Sequence, residues 1–451
     1  MEKFFKLKEH GTKVRTEIVA GLTTFMTMAY ILAVNPNILS ATGMDSGAIF
    51  TATALGSLVG TLCMALLANY PFALAPGMGL NAYFAYTVVI GMGYSWQTAL
   101  TAVLIEGILF IILTLTNVRE AIFNAIPKNL KVAVSSGIGL FIAFIGLQNA
   151  KITVGGATLV ELVKIDSSNF HDVGITVILA ILGIILTGIL VVKNVKGSIL
   201  IGIIATWILG MICEAAGIYV PNAEAGFFSL FPDFSNGIAI QSVAPIFFKF
   251  DFSNVLTFDF FVIMFSFLFV DIFDTLGTLI GVATKADMLD EEGKLPKIKG
   301  ALMADAIGTT AGAILGTSTV TTFVESASGV AVGGRTGLAS VVTAVLFGLS
   351  LFLSPIFLAI PSFATAPALI IVGFFMMQNI TKIDFNDASE AIPCYICLIA
   401  MPFFYSISEG ISMGVISYVL INLLTGKAKE KKISILMYVL CILFILKYIF
   451  L

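Results

Sequence analysis

Two aspartates stand three residues apart in one strongly apolar stretch of the chain. Asp271 and Asp274 lie within FSFLFVDIFDTLGTLIGVA, where the other residues are apolar, small or hydroxylated. Residues three apart share a helical face, so the two carboxyl groups are expected to be neighbours. Because two adjacent carboxylates resist joint ionisation, one of them should hold a proton more tightly. The pair therefore predicts a site that takes up and releases protons; carboxyls that pack helices by bonding Ser and Thr are the alternative.

A further acid, Glu325, lies in the hydroxyl-rich stretch GTSTVTTFVESASG at 316–329. We expect it at the start of a short helix, where free backbone N–H groups meet its carboxylate or a ligand that it orients. A carboxylate also accepts two parallel hydrogen bonds from adjacent ring N–H and amino groups. Glu325, with Ser326 beside it, is thus predicted to bind a planar ligand, and simple helix capping is the alternative.

Asn81 and two phenylalanines are candidates for the remaining ligand contacts. The Asn81 amide can both donate to and accept from a heterocycle, or it can pack between helices. Phe269 and Phe323 flank the acids and could stack on a ring, although the chain has 38 Phe and a core or lipid-facing position is the default for each.

Two more acids, Glu106 and Asp305, lie in apolar stretches. Each is predicted either to act in the same site or to bond backbone and Thr groups of the scaffold. His10 and His171 fall outside the apolar runs, so a histidine relay is not expected and carboxylates must carry the proton chemistry.

The composition places these acids inside a membrane. Hydrophobic residues make up 58% of the 451, charged residues 11%, and the mean hydropathy is +1.04. Soluble domains carry about 25% charged residues, so lipid must cover most of this surface. The net charge of −3 gives no indication of a nucleic-acid partner.

No metal or organic cofactor is expected, with a proton as the coupling ion. Cys394 and Cys397 form a C-x-x-C pair, which redox and metal sites also use. We interpret them as two small apolar side chains inside a membrane helix.

Apolar runs predict about 14 membrane spans in a cell-membrane protein. Lys and Arg clusters all fall on the side of the N-terminus, which is therefore predicted to be cytoplasmic. The run at 433–450 is either a fifteenth span or a helix at the membrane interface. The spans are predicted at 17–38, 48–69, 77–92, 96–116, 129–148, 174–192, 197–216, 257–281, 298–315, 324–333, 336–353, 365–380, 390–405 and 409–424.

The chain divides into two predicted halves of seven spans. Residues 1–216 form the first, 217–256 an extracytoplasmic linking segment, and 257–424 the second, followed by a basic stretch and an apolar helix at 425–451. An odd number of spans per half makes the second half inverted, as in many secondary transporters.

Two segments at the same ordinal position in each half are poor helices. Residues 70–81 contain two Pro and two Gly, and 316–329 has a β-like composition. Each is predicted to be an extended piece followed by a half-helix near the membrane centre, where broken segments bind substrates in transporters. A pair of ordinary Gly and Pro kinks is the alternative.

At these residues the chain resembles the AzgA-type purine permeases of the nucleobase–cation symporter families. The resemblance covers nearly the whole chain. The stretches that carry it are GLTTFMTMAYILAVNP at 21–36, APGMGLNAYF at 75–84, FVDIFDTLGTLIGVA at 269–283, ALMADAIGTTAGAILGTSTVTTFVESASGV at 301–330 and GGRTGL at 333–338.

The resemblance implies a uracil-permease-like fold of 14 segments in two inverted repeats. Spans 1–4 and 8–11 would form a core, spans 5–7 and 12–14 a gate, and segments three and ten would be half strand, half helix. It implies import of hypoxanthine, guanine or adenine with a proton, and leaves a homodimer open.

The resemblance also implies roles for individual residues. Asp271 and Glu325 match substrate-contacting acids, Asp274 an acid needed for transport, and Asn81 a polar residue important for binding. Uracil permeases have a histidine four residues after the first of these acids, where this chain has Thr275. That difference favours purine over uracil.

Two other functions are alternatives to purine transport. An anion carrier of the same fold would use the half-helix dipoles, but the acids at 271 and 325 would repel an anion. An intramembrane aspartyl protease built on Asp271 or Asp305 would require Y-D and G-x-G-D motifs, which the chain lacks. An enzyme is therefore not expected.

Overall fold

The structure, a computed structural model, describes residues 2–116, 126–156, 159–222, 227–234, 239–285, 288 and 295–450. After a helical turn at Glu2–Phe5, the described helices are α1 Val14–Thr42, α2 Ser46–Ala68, α3 Met78–Gly91, α4 Trp96–Leu115, α5 Lys128–Asn149, α6 Phe170–Val192, α7 Ser198–Ala215, α8 Phe258–Lys285, α9 Ile298–Leu315, α10 Ser326–Ala331, α11 Gly337–Leu358, α12 Ser362–Lys382, α13 Ala388–Phe403, α14 Ile407–Leu424 and α15 Ile435–Phe450. The strands are β1 Leu74–Pro76, β2 Thr153–Gly156, β3 Leu159–Leu162 and β4 Val320–Thr322.

The helices follow the predicted apolar runs closely. Ten of those in the described part of the chain are long and apolar enough to cross a membrane, while α3, α13 and α15 are shorter apolar helices. The chain is thus a helical, multi-pass membrane protein, as the composition predicted. Arg119 and Lys294, which belong to the Lys and Arg clusters used to predict the orientation, lie outside the described residues.

The two poor helices are strand and half-helix segments, as predicted. β1 and β4 pair antiparallel, with Leu74 opposite Thr322 and Pro76 opposite Val320. Two more main-chain bonds extend the ladder: Gly77 N–H donates to Thr319 O at 3.0 Å, and Phe323 N–H donates to Ala73 O at 3.0 Å. Both strands are completely buried, which satisfies their backbone groups where no water is available. We call this strand pair the crossing.

The helices pack in two groups. In one, α9 lies against α2 and α4, α11 against α1 and α2, and α10 against α1. In the other, α5 lies against α12, α13 and α14, and α12 against α6 and α7. The α5–α12 contact brings backbones together, because a Cβ built on Gly373 would lie 2.4 Å from Gly139 O. A side chain at either glycine would separate these two helices.

A buried carboxylate holds α1 to the start of α11. Glu17 is completely buried, and its side chain accepts from the backbone N–H groups of Arg335 at 2.9 Å, Thr336 at 3.3 Å and Ala339 at 3.2 Å. Free N–H groups and a partial positive charge at a helix start favour such an anion. The Arg335 guanidinium in turn donates to Val330 O, at the end of α10. Glu17 was not among the predicted buried acids, because it lies at the very edge of the first apolar run.

We expect Glu17→Ala to destabilise the protein more than Glu17→Gln. Alanine leaves the N–H groups without an acceptor, at a cost of about 2–3 kcal/mol, whereas glutamine keeps one acceptor oxygen. Thermal unfolding of the purified protein in detergent measures the difference. Equal melting temperatures for Glu17→Ala and the unaltered protein would contradict the assignment.

Some features differ from the sequence expectations. The region after α5 contains the hairpin β2–β3, which was not predicted. His171 lies in the first turn of α6 rather than before the helix, with its ring nitrogen 2.9 Å from Ile218 O. Cys394 and Cys397 are buried free thiols within α13, as small apolar side chains would be.

Candidate functional site

Glu325 stands at the crossing, immediately before the short helix α10. Its carboxylate does not cap that helix; instead Oε1 accepts from the Tyr30 hydroxyl at 2.6 Å. Tyr30 is completely buried, while Glu325 remains half-buried. The Tyr30 hydroxyl therefore fixes the position of one carboxylate oxygen, while the Glu325 side chain remains partly exposed. Helix capping, the alternative weighed for this acid, is not what the side chain does.

Asp274 lies on the same side of the crossing, against the start of α3. Its Oδ2 is 3.4 Å from where a Cβ on Gly77 would be. Asp274 is close enough to interact electrostatically with Glu325, Tyr30 and Asp305. Like Glu325 it is half-buried. Asp274 thus joins Glu325 to the start of α3, whose first N–H groups have no intrahelical partners.

Asp271 lies in a separate, fully buried network. Thr275 Oγ1 is 2.9 Å from Asp271 Oδ1, 2.7 Å from Asp305 Oδ1 and 2.6 Å from Thr321 Oγ1. All four residues are 0–1% exposed. The i, i+3 pair is therefore split between two environments: Asp274 is half-buried beside Gly77, and Asp271 is fully buried in the Thr275 network beside α9 and β4.

The stretch before and along β4 is bonded, residue by residue, to different helices. Thr317 accepts from Asn35 Nδ2 of α1 at 3.0 Å, and Thr319 donates to Glu106 Oε2 of α4 at 2.8 Å. Ser318 donates to Asn81 Oδ1 of α3, and Thr321 meets Thr275 of α8. We call residues 317–321 the hydroxyl belt. These bonds explain why the stretch is rich in Ser and Thr. Glu106 bonds a Thr of the scaffold, which is one of the two roles predicted for it.

The remaining candidates are buried around the crossing. Asn81, besides accepting from Ser318, donates to Pro76 O at 3.3 Å. Ser326 Oγ accepts from Ala73 N–H at 3.0 Å and so links α10 to the start of β1. Phe323 is 6% exposed. Phe269 is stacked on Phe265 in α8, with centroids 5.8 Å apart.

One residue at the site was missed by the sequence analysis. Tyr30 lies within the stretch 21–36 quoted for the resemblance, but an aromatic residue in an apolar run carries no signal of its own. Among the residues that the structure describes, no three His, Cys, Asp or Glu are grouped so that they could hold a metal ion.

Comparisons with known proteins place the chain in a family. The family model Xan_ur_permease, described as the Permease family, matches residues 15–444. The chain is 44% identical to the guanine/hypoxanthine permease PbuO of Bacillus subtilis, over 98% of this chain and 99% of that protein. It is 42% identical to the adenine permease AdeP of Escherichia coli, over 100% of this chain and 96% of that protein.

A solved structure shares the fold. The transmembrane domain of the cyanobacterial bicarbonate transporter BicA superposes with a TM-score of 0.63 at 16% identity, covering 88% of this chain and 97% of that domain. At this identity the likeness concerns the fold alone. With a family match across nearly its full length and permeases as its relatives, the chain is a membrane transport protein, not an enzyme, and belongs to the Permease family.

Proposed function

We propose that the protein imports a purine nucleobase together with a proton, binding the base beside the crossing. The observation that carries this proposal is the pair of half-buried carboxyls: Glu325 follows strand β4, Asp274 lies beside the start of α3, and the two are close enough to interact electrostatically. The relatives named for guanine, hypoxanthine and adenine support the same class of substrate.

In this proposal Glu325 binds the edge of the base through hydrogen bonds. Its carboxylate accepts from ring N–H and amino groups, and Tyr30 keeps it oriented by holding Oε1. The first N–H groups of α3 donate to the acceptor atoms on the base, and Phe323 lies against the ring. Asn81 and Ser326 keep β4 and β1 in place through the bonds described above, and Asp271 acts through the Thr275 network. Asp274, Asp271 and Glu325 exchange the proton.

Transport would proceed by movement between the two groups of helices. α1–α4 with α8–α11 form a core that carries the site, and α5–α7 with α12–α14 form a gate. Polar contacts join them: Tyr86 of α3 donates to Asn149 Oδ1 of α5 at 3.2 Å, and Ser266 of α8 lies 2.8 Å from Ser408 of α14. Such contacts can be exchanged at little cost, which suits alternating access around a central site.

Uptake measurements test the proposal. Reconstituted protein should take up labelled hypoxanthine faster when the outside is acidic, and unlabelled guanine or adenine should compete more strongly than uracil. Uptake of sulfate or bicarbonate with no purine uptake would instead support the anion carrier. The carboxyls at the site argue against that carrier, because they would repel an anion.

We expect Tyr30→Phe to raise the KM for purine about tenfold with little change in the maximal rate. A hydrogen bond to a charged group contributes about 1.5–3 kcal/mol, and a tenfold change corresponds to about 1.4 kcal/mol. Tyr70→Phe is the control, since the buried Tyr70 hydroxyl bonds Lys297 N–H away from the site. An unchanged KM in Tyr30→Phe would show that Glu325 needs no such partner.

A further inference from the structure

The buried Thr275 hydroxyl has more hydrogen-bond partners than its single hydrogen can serve. Three oxygens lie within 2.9 Å of Thr275 Oγ1: one from Asp271, one from Asp305 and the Thr321 hydroxyl. A hydroxyl has one hydrogen to donate and two lone pairs to accept with. An ionised carboxylate can only accept.

Counting hydrogens fixes the protonation of the two acids. If Thr321 donates to Thr275, then Thr275 donates to one carboxylate, and the other carboxyl must donate a hydrogen of its own. If Thr275 donates to Thr321 instead, both carboxyls must be protonated. With both acids ionised, the two carboxylates would have to share the single Thr275 hydrogen, and the site is too buried for water to offset their repulsion.

We infer that Asp271 and Asp305 share a proton through the Thr275 hydroxyl, which makes Asp305 part of the proton-holding machinery. The sequence left two roles open for Asp305: a part in the binding site, or a hydrogen bond to backbone or Thr groups of the scaffold. Other carboxyls lie nearby: Asp274 is close enough to interact electrostatically with Asp305 and Glu325, and Glu106 accepts from the belt residue Thr319. Tyr30, a neutral phenol, completes the titratable groups on this side.

Loss of the shared proton would change the geometry of the binding site. Two carboxylates would then compete for one hydroxyl, and their repulsion would act on the contact between α8, α9 and Thr321. Thr321 belongs to β4, and Glu325 follows four residues later. Protonation at Asp271 and Asp305 therefore acts on the geometry of the site. This transport consequence rests on the proposed function, whereas the shared proton does not.

Difference infrared spectroscopy of the purified protein in lipid tests the shared proton without any substrate. At neutral pH we expect a protonated-carboxyl C=O band that shifts in D₂O. Asp305→Asn and Asp271→Asn should each abolish it, because the introduced amide donates to Thr275 and leaves a single ionised acid. Thr275→Ser keeps the hydroxyl and should keep the band, whereas Thr275→Val should shift it.

A spectrum of Asp305→Asn that retains every protonated-carboxyl band of the unaltered protein, or difference spectra that contain only ionised carboxylate bands, would overturn the inference. The Asp271→Asn and Thr275→Val spectra decide the matter if Asp305→Asn fails to insert. In proteoliposomes with an internal pH dye, purine-driven proton influx should fall at least fivefold in Asp305→Asn and stay near normal in the control Tyr70→Phe. If the unaltered protein moves no protons with purine, the proposed function fails, and the infrared result still stands.

Discussion

Glu325→Gln should lower purine uptake about 100-fold while the protein still inserts normally. Glutamine has nearly the same shape but offers the base one acceptor oxygen and an N–H₂ group, so paired donors on the base meet a donor instead of a carboxylate. Removing one partner of a buried charged hydrogen-bond pair costs about 2–5 kcal/mol. The Tyr30 hydroxyl can still donate to the glutamine oxygen, so the surrounding structure should survive.

Initial rates of labelled hypoxanthine uptake, normalised to the amount of inserted protein, measure this effect. Glu325→Asp is the informative companion, because it keeps the charge but withdraws the carboxylate by one methylene from Tyr30. An intermediate rate for Glu325→Asp is expected. Normal uptake by Glu325→Gln would reject the assignment of this acid to the binding site.

Gly77→Ala should reduce uptake at least tenfold through the crossing itself. A Cβ at this position would lie 2.6 Å from Thr321 Cγ2, closer than carbon atoms pack without displacement. Gly77 also donates to Thr319 O in the strand ladder. The added methyl group would therefore push β1 from β4 and shift the start of α3, which the proposed site uses.

Thr321→Ser provides a rescue for this variant. Serine removes the methyl group that clashes and keeps the hydroxyl that meets Thr275. The double variant Gly77→Ala/Thr321→Ser should recover most of the uptake, and Thr321→Ser alone should remain near the normal rate. If the double variant is as poor as Gly77→Ala, the loss does not come from this contact.

The sequence predicted the broken segments well because their physical causes are local. Pro71 and Pro76 interrupt the helical hydrogen bonds, Gly77 weakens a helix, and the run of Thr and Ser before Glu325 favours extended backbone. Since such backbone is stable in a membrane only when it is buried in protein, two of these segments were expected to meet near the centre. The antiparallel pairing of β1 and β4 confirms this.

The contacts of individual side chains could not be predicted in the same way. The i, i+3 spacing predicted Asp271 and Asp274 on one helical face. In the structure Asp271 is linked through Thr275 to Asp305, whereas Asp274 lies against the start of α3. Which neighbour each acid meets depends on the tertiary arrangement of α8, α9 and β4. The role of Tyr30 depends on the same arrangement, since it is 295 residues away from Glu325 in sequence.

The hydroxyl belt has a consequence for how any motion could be observed. Because consecutive belt residues are fastened to α1, α3, α4 and α8, the strand cannot slide on its own and must travel as one rigid body with those helices. A spin-label pair that joins α9 to α2 should give a single narrow distance distribution throughout the cycle. A pair that joins α9 to α12 should give two populations whose ratio responds to added hypoxanthine.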